Sequence, residues 1–267
     1  MAAQLRIMGL SVRTASRSAS PRFDWHDRST WRDAVHGVRT LYLATPEEEV
    51  PVQEFVAHAV QGGVERIVAL SGRGLDNVAP PDRGPDDSAP EFVGGMLQVE
   101  QAVRHPGAEW SIMRPNNFNQ NFDEYVFREE IRSGELVLPM AGTPEPFIDA
   151  EDIAAVATTL LTEDGHHGQI YEMSGPRALE FGTAVEIIAR ASNREVHYRD
   201  ISPEDYIQLL LDRGTKRDAA ESQAALFSIM RRGVMQTTTA SVGDILGREP
   251  IDFTSYALRA AAAGAWD

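Results

Sequence analysis

The chain has 267 residues, and with 42% hydrophobic and 24% charged residues its composition is typical of a globular protein. Its net charge of −15 argues against binding to nucleic-acid phosphates or to an anionic membrane surface, because both need a basic face. The chain has no cysteine, which excludes disulfides, a thiol nucleophile and cysteine-based metal sites.

The first half of the sequence alternates between strand-like and helix-like segments. Residues 2–8 resemble the end of a helix that Gly9 closes. Strands are predicted at 10–16, 39–46, 65–71 and 109–115, with a further short extended piece at 20–25. Helices are predicted at 27–37, 47–63 and 92–105, and a loop rich in Gly, Pro and Asp at 72–90. The alternation predicts an α/β fold with a mostly parallel sheet that binds ligands at the carboxyl ends of its strands.

The second half is less regular. Residues 119–133 are predicted to be helical, and short extended segments follow at 135–140 and 146–150. Further helices are predicted at 151–164, 178–192 and 202–214, with strands at 169–174 and 195–201. The helix at 202–214 opens with Ser-Pro and a downstream acid, which is a favourable helix start. Two or three more helices fill 216–263, and we expect this C-terminal portion to pack against the carboxyl edge of the sheet and close a cleft.

A single residue count excludes one catalytic mechanism. Reductases of the short-chain type commonly use a Tyr-x-x-x-Lys pair, in which the lysine lowers the pKa of the tyrosine so that it can donate a proton. Lys216 is the only lysine, and the residue four positions before it is Asp212, so this chain cannot form that pair. Ser71 ends a predicted strand where short-chain reductases often keep a catalytic serine, but a lone serine before glycine is more often a turn residue, so no catalytic residue is assigned. His166 and His167 are adjacent in a glycine-flanked turn without metal-ligand spacing, so no metal site is expected.

Several segments resemble the signature sequences of the NmrA-like family, a branch of the atypical short-chain dehydrogenases. Three of its motifs are similar to WSIMRPNNFNQNF at 110–122, PFIDAEDIAAVA at 146–157 and IYEMSGPRALEF at 170–181. Earlier strand-like segments at 12–17, 41–46 and 63–71, and a C-terminal helix at 247–266, follow the order and spacing of the family. The resemblance covers nearly the whole chain.

The resemblance implies a Rossmann-type doubly wound parallel sheet with a small C-terminal α+β substrate or lid region. Residues 1–118, with 146–174 returning to the sheet, would form an NAD(P)-binding domain that is incomplete at its N-terminus. Residues 119–145 and 175–267 would form the smaller substrate or lid region.

One element of the family pattern is not found in the sequence. The family opens with a strand and a G-x-x-G-x-x-G turn, whose backbone N–H groups hold the diphosphate of the cofactor. The nearest string here, Gly72-Arg73-Gly74, follows a later strand and leads into the Pro/Asp-rich loop, so we interpret it as an ordinary loop. We therefore expect a truncated or misassigned start, with roughly 20 residues before Met1, the length of a βα unit. The alternative is that another segment takes the place of the missing first strand. Whether the chain binds any dinucleotide depends on which of these two alternatives is correct.

The resemblance implies an NADP cofactor, with NAD as the alternative. Arg17 would pair with the 2′-phosphate of NADP, and Ser16 would support it. The other implied cofactor contacts are Asp24 and Trp25 near the adenine, Thr45 and Pro46 at the ribose, Ser71, and the loop residues Pro115, Asn116, Asn117 and Phe118 along the nicotinamide. Each has a plainer interpretation, as a solvated arginine, a core tryptophan, or turn serine, aspartate and asparagine residues.

Substrate contacts are expected around the same loop. Phe118 and Phe122 would form an apolar wall, and Asn121, Tyr125 and Phe147 would complete the site. Asp149 and Asp152 are interpreted as capping and helix-dipole residues rather than as acid or base catalysts.

Together with the missing Tyr-Lys pair, the resemblance implies an NAD(P)H-dependent oxidoreductase that reduces a quinone-like or aromatic carbonyl small molecule, with a place in a biosynthetic pathway left open. Quinones accept hydride without a strong protein acid because the product anion is well delocalised, which suits a site without a Tyr-Lys pair. The alternatives are a non-catalytic NAD(P)-sensing regulatory protein that binds a protein partner, and a tailoring factor that has lost its cofactor. No apolar run approaches the roughly 20 residues that span a bilayer. The first ten residues do not resemble a secretory signal, so we expect a cytoplasmic protein, with a homodimer as an open alternative.

Overall fold

The computed structural model describes residues 1–46, 50–78, 91–105 and 107–267. Residues 79–90 of the predicted loop and residues 47–49 of the predicted third helix lie outside this part of the chain. The chain divides into two compact units. The first contains Met1–Gly72, Glu91–Pro115 and Ile153–Glu172, and the second contains Arg73–Pro90, Asn116–Asp152 and Met173–Asp267. The domain boundaries expected from the sequence stay a prediction.

The described residues form six strands, in two separate sheets. The strands are β1 Thr40–Leu43, β2 Arg66–Leu70, β3 Glu109–Pro115, β4 Glu135–Leu138, β5 Gln169–Met173 and β6 His197–Asp200. The larger sheet has the order β1-β2-β3-β5, in which β1, β2 and β3 run parallel to one another. The smaller sheet is the parallel pair β4-β6.

Helices account for most of the remaining regular structure. They are α1 Ala2–Ile7, α2 Trp31–Val35, α3 Val52–Gln61, α4 Leu75–Val78, α5 Glu91–Val103, α6 Arg128–Ser133, α7 Ala150–Thr162, α8 Phe181–Ser192, α9 Pro203–Asp212, α10 Arg217–Arg231, α11 Ser241–Leu246 and α12 Phe253–Ala262. Ser202 caps α9, since its hydroxyl accepts from the backbone N–H of Asp205 and Pro203 occupies the first turn. The helix start predicted there is confirmed. None of the described helices is long and apolar enough to cross a membrane.

The core of the first unit lies around β2. Ile67, Val68 and Ala69 are each 0% exposed, as expected for a parallel strand that is covered on both faces. The aromatic ring of Phe55 on α3 packs edge-on against Trp31 of α2, with their centroids 5.5 Å apart. The α/β fold class with a parallel sheet is confirmed.

The strand predicted at 10–16 is wrong. In the described part of the chain these residues join no ladder, and the only pairing nearby is a single bridge between Ser16 and Arg22. Arg13 instead donates to the carbonyl oxygens of Asp33, Ala34 and His36 at the end of α2, at 2.8–3.2 Å. Alternating side chains favour a strand only where a neighbouring strand accepts its backbone hydrogen bonds, and the bonds of Arg13 hold this segment beside a helix.

Three other predicted elements differ in detail. The helix predicted at 119–133 is two pieces, a 3₁₀ turn at Asn119–Phe122 and α6, because the chain turns between them. The extended segment at 146–150 forms only one bridge, between Phe118 and Ile148, and the piece at 20–25 is not a strand either. The residues after Gly74 begin the one-turn helix α4 rather than continuing as a loop.

An aromatic cluster forms the core of the second unit. Phe122 lies at its centre, with ring centroids 5.3 Å from both Phe147 and Phe253. Trp266 is 1% exposed and donates its indole N–H to the carbonyl oxygen of Phe122 at 2.7 Å, which fixes the C-terminus after α12. This bond satisfies a polar group that burial would otherwise leave without a partner.

Candidate active-site residues

The end of β2 carries a buried polar cluster in the first unit. Ser71 donates its hydroxyl to Oε1 of Glu100 on α5 at 2.8 Å. Arg114 near the end of β3 donates to both oxygens of the same carboxylate, at 2.7 and 2.9 Å, and Arg104 reaches it at 3.2 Å. Glu100 and Arg114 are almost fully buried, so the carboxylate is neutralised by a bidentate partner. The cluster joins α5 to the larger sheet, and the hydroxyl proton of Ser71 forms a hydrogen bond to Glu100.

Gly72 follows this serine and packs closely against α5. A Cβ at Gly72 would lie 2.8 Å from the sulfur of Met96, which is too close for any larger residue without movement of the methionine. The glycine therefore permits close approach of backbone and helix, which is a packing role.

A second buried polar group lies in the second unit, directly after β3. The side-chain amides of Asn116 and Asn117 both donate to Oε2 of Glu145, at 2.9 and 3.2 Å. Glu145 is 0% exposed, and its backbone exchanges two 2.9 Å hydrogen bonds with Leu179. Burial raises the pKa of Glu145 to about 7, although both amides and the charge of Arg73 act to lower it.

Sequence reasoning missed Glu145. A weak signal was present, because the acid stands between two prolines at the start of an apolar segment, in PEPFI. Two buried atoms of this group have no hydrogen-bond partner within the described part of the chain, Oε1 of Glu145 and Oδ1 of Asn116. The amide pair and the carboxylate thus retain two oxygen atoms that can each accept a further hydrogen bond.

Asp149 caps helix α7, as the sequence indicates. Its Oδ1 accepts from the backbone N–H of Glu151 at 2.9 Å, and Arg259 of α12 donates to Oδ2 at 2.7 Å. Asp152 accepts from the backbone N–H of Ile251 at 2.6 Å. Both aspartates are 0% exposed, and the capping role is confirmed for Asp149, whereas Asp152 bonds instead to the backbone before α12.

The predicted adenine-side residues lie in the first unit. Asp24 is bonded within its own turn, where a hydrogen bond from the backbone of His26 lowers its pKa. Trp25 packs edge-on against Phe55, with centroids 5.1 Å apart. Arg17 and Ser16 are exposed, and within the described residues the guanidinium of Arg17 has no ion pair. These positions fit the plainer interpretation of Asp24 and Trp25 and leave Arg17 available to an anion.

The other predicted contacts differ in exposure. Thr45 and Pro46 follow β1 and are half-buried, Pro115 ends β3 and is buried, and Phe118 and Asn121 are half-buried. Tyr125 is 68% exposed. Phe122 and Phe147 lie inside the aromatic core and offer no surface to a ligand in this structure. The assignment of these residues to cofactor or substrate stays a prediction.

Each unit, taken by itself, has a residue that suits a different group of a nicotinamide dinucleotide. Oδ1 of Asn116 is an unpartnered acceptor of the kind that a carboxamide N–H₂ group needs, although Asn116 is only 3% exposed, and the exposed Arg17 suits a phosphate. A glycine-rich diphosphate turn that opens a long helix is not found in residues 1–46, 50–78, 91–105 and 107–267.

The parallel sheet with its buried strands and flanking helices defines a Rossmann-type α/β protein. The sequence model of the NmrA-like family matches residues 22–256. The chain therefore belongs to the NmrA-like family, and the resemblance seen in its motifs is confirmed.

Two curated relatives and one solved structure illustrate the likeness. The chain is 30% identical to the uncharacterized oxidoreductase YesF of Bacillus subtilis, over 98% of this chain and 91% of the relative. It is 29% identical to an NAD(P)H azoreductase of Xenophilus azovorans, over 90% and 82% of the two chains. The NADPH-dependent quinone oxidoreductase QOR2 of Escherichia coli, complexed with NADPH, matches with a TM-score of 0.73 at 17% identity, over 90% and 82% of the chains. At that identity the structural match shows a shared fold.

Proposed function

We propose that this protein is an NAD(P)H-dependent oxidoreductase that reduces a quinone-like or aromatic carbonyl small molecule, with NADPH preferred. The observation that carries the proposal is the Asn116–Asn117 amide pair, which directly follows β3 and is held by the buried carboxylate of Glu145. Carboxyl ends of strands are where Rossmann-type proteins bind their ligands. Membership of a family with relatives named as an oxidoreductase and an azoreductase supports the same reaction class.

In this proposal the chain's own residues bind and orient the cofactor. Arg17 and Ser16 would hold the 2′-phosphate, Thr45 and Pro46 would border a ribose, and Asn116 would accept from the carboxamide. When bound, the cofactor supplies hydride, and the protein supplies orientation and shields the site from water.

The proposed substrate class follows from the absence of a Tyr-x-x-x-Lys pair that could act as a general acid. Lys216 is the only lysine and has Asp212 four positions before it, so no Tyr-x-x-x-Lys pair can protonate a developing alkoxide. A quinone or extended aromatic carbonyl spreads the negative charge of its reduced anion and needs no strong acid nearby. The names of the azoreductase relative and of the QOR2 structure agree with conjugated acceptors of this kind.

Cofactor binding is tested first, by following the fluorescence of the four tryptophans during titration with NADPH and with NADH. We expect saturable binding, tighter for NADPH. Arg17→Ala should weaken NADPH about 10- to 100-fold, because a charge-assisted hydrogen bond contributes about 1.5–3 kcal/mol. NADH binding should be unchanged, and Arg6→Ala, an exposed arginine in the same unit, should alter neither.

Turnover is tested by following NADPH oxidation with a panel of quinones and aromatic carbonyl compounds. We expect oxidation with at least one conjugated acceptor. No response to millimolar NADPH or NADH would contradict the cofactor assignment. Binding without oxidation across the panel would instead favour the non-catalytic sensing role.

A further inference from the structure

Glu145 is a buried acid that takes no part in the chemistry of the proposed reaction. Its backbone bonds to Leu179 in both directions and its carbonyl oxygen accepts from the N–H of Phe147 at 3.0 Å, so the residue cannot move toward solvent easily. A carboxyl group fixed at 0% exposure is costly to ionise, and such groups persist where their hydrogen bonds compensate. What compensates here is the Asn116–Asn117 amide pair.

The hydrogen-bond chemistry of this group depends on one proton. An ionised carboxylate only accepts, so both amide N–H₂ groups must face Glu145 and both amide oxygens must face away. A protonated carboxyl group also donates, and an amide oxygen such as Oδ1 of Asn116, which has no partner in the described structure, can then accept from it. Loss or gain of the proton therefore changes which edge of each amide is free.

We propose that Glu145 is the positioning residue of the Asn116–Asn117 amide pair, and that its protonation switches the amides between presenting an acceptor and presenting a donor to a bound ligand. With Glu145 ionised, the amide oxygens are free to accept from the carboxamide of the cofactor. With Glu145 protonated, that acceptor is lost in part. The role of the ligand in this inference rests on the proposed function, whereas the switch itself does not.

The surroundings of Glu145 place the switch in the physiological range. Burial raises its pKa to about 7, and Arg73 is the charged side chain that opposes this among the described residues. Arg73 is held in place by the carbonyl oxygens of Met235 and Thr237. Two further neighbours of this group are apolar. They are Leu179 and Met230 of α10, whose sulfur lies beside the amide of Asn117.

The switch is tested without cofactor, by NMR of the side-chain amides of Asn116 and Asn117 between pH 5.5 and 8.5. Each amide is assigned from its disappearance in an Asn→Ala variant. In the unaltered protein both should shift with a common midpoint close to 7. The shifts should vanish in Glu145→Gln and persist in Glu186→Gln, which changes an exposed acid on α8. Amide resonances that do not titrate, or that titrate equally in Glu145→Gln, would overturn the proposal.

A second variant keeps the test decisive if Glu145→Gln does not fold. Asn117 is half-buried, and its amide is one of the two donors that favour the ionised form of Glu145. Asn117→Ala should therefore move the midpoint read from Asn116 to higher pH. A midpoint that stays in place or falls would contradict the assignment.

The functional arm separates this inference from the proposed function. KM for NADPH should rise at least fivefold from pH 8 to pH 6 in the unaltered enzyme, with kcat nearly constant, and should be flat in Glu145→Gln. Titrating amides in a protein that never oxidises NADPH would support the switch and contradict the proposed function. Turnover with amides that do not titrate would contradict the switch and support the proposed function.

Discussion

Ser71 donates its hydroxyl to Oε1 of Glu100 at 2.8 Å, and this bond joins the end of β2 to helix α5. The same oxygen accepts from Nε of Arg114 at 2.7 Å. The serine at this strand end thus donates to a buried ion pair, although its position suggests cofactor contact or catalysis in a short-chain reductase. Its hydroxyl proton is already engaged, so we assign Ser71 first to stability.

Ser71→Ala should therefore lower the free energy of unfolding by about 1 kcal/mol, the usual contribution of one hydrogen bond. NADPH oxidation should fall less than fivefold. A catalytic acid or base typically contributes about 10²–10⁴-fold, so the two roles give distinct results. The measurements are urea denaturation and steady-state rates, with the exposed Ser18→Ala as the control. A loss of activity beyond 100-fold with unchanged stability would contradict the structural role.

Glu100→Gln should be much more harmful than the loss of an exposed partner. The substitution removes the buried carboxylate that accepts two hydrogen bonds from Arg114 and leaves the more distant Glu172 at 4.0 Å, and breaking a buried pair in this way costs about 3–5 kcal/mol. Glu54→Gln removes one partner of the Arg28 pair, in which both side chains are about 60% exposed, and should cost less than about 1 kcal/mol. Equal destabilisation of the two variants in urea would show that the buried pair stabilises the protein no more than the exposed pair does.

The sequence predicts correctly those elements that are determined by residues close together in the chain. The strand at 65–71 was predicted from a β-branched apolar run, and β2 is buried on both faces there. The start of α9 follows from the capping chemistry of Ser202 and Pro203. The segment at 10–16 has an alternating pattern, but Arg13 bonds to the end of α2, and nothing in the local sequence specifies that partner.

Glu145 and Phe122 show why the candidate site was harder to predict. The environment of Glu145 is built by Asn116 and Leu179, which lie 29 and 34 positions away in the chain, so its pKa is a product of tertiary structure. Phe122 was predicted to line a substrate wall, and it lies at the centre of an aromatic core that residues up to Trp266 complete. The sequence motif around Asn116 singled out this loop, but not the buried acid to which its two amides donate.

The raised pKa of Glu145 has a consequence for stability. Its pKa is about 7 in the folded protein and near the ordinary 4.5 in the unfolded chain, so between these values the folded state binds more protons. Stability from this group is therefore greatest below about 4.5 and falls as the pH rises through 7. The full difference corresponds to roughly 3 kcal/mol, since each pKa unit is worth about 1.4 kcal/mol.

Glu145→Gln keeps an amide oxygen as acceptor and removes the cost of ionisation. Relative to the unaltered protein, the variant should gain about 2.5 kcal/mol of stability between pH 5 and pH 8, because part of the full difference lies below pH 5. Guanidinium unfolding curves at several pH values measure the difference, and Glu186→Gln should keep a constant offset over the same range. Parallel pH–stability profiles for Glu145→Gln and the unaltered protein would contradict the raised pKa.

Gly175 lies two residues after the end of β5, where the backbone must approach another segment closely. Its N–H donates to the carbonyl oxygen of Pro146 at 3.0 Å, and a Cβ at this position would overlap the carbonyl oxygen of Phe147. That atom belongs to the backbone and cannot rotate away, so the segment that carries Glu145 and Phe147 would have to shift. A glycine is required here for space rather than for backbone conformation.

Gly175→Ala should therefore destabilise the protein by about 3 kcal/mol, at the upper end of the usual cost of overpacking. Gly94→Ala is the matched control, because that glycine lies inside α5 and a Cβ there would meet no atom within 4 Å. Its replacement by the better helix former should stabilise the protein by up to about 1 kcal/mol. Thermal unfolding of the two variants should shift in opposite directions. If both shift alike, the close approach of Gly175 to Phe147 does not exist in solution, and the anchoring of the Glu145 segment inferred from it is wrong.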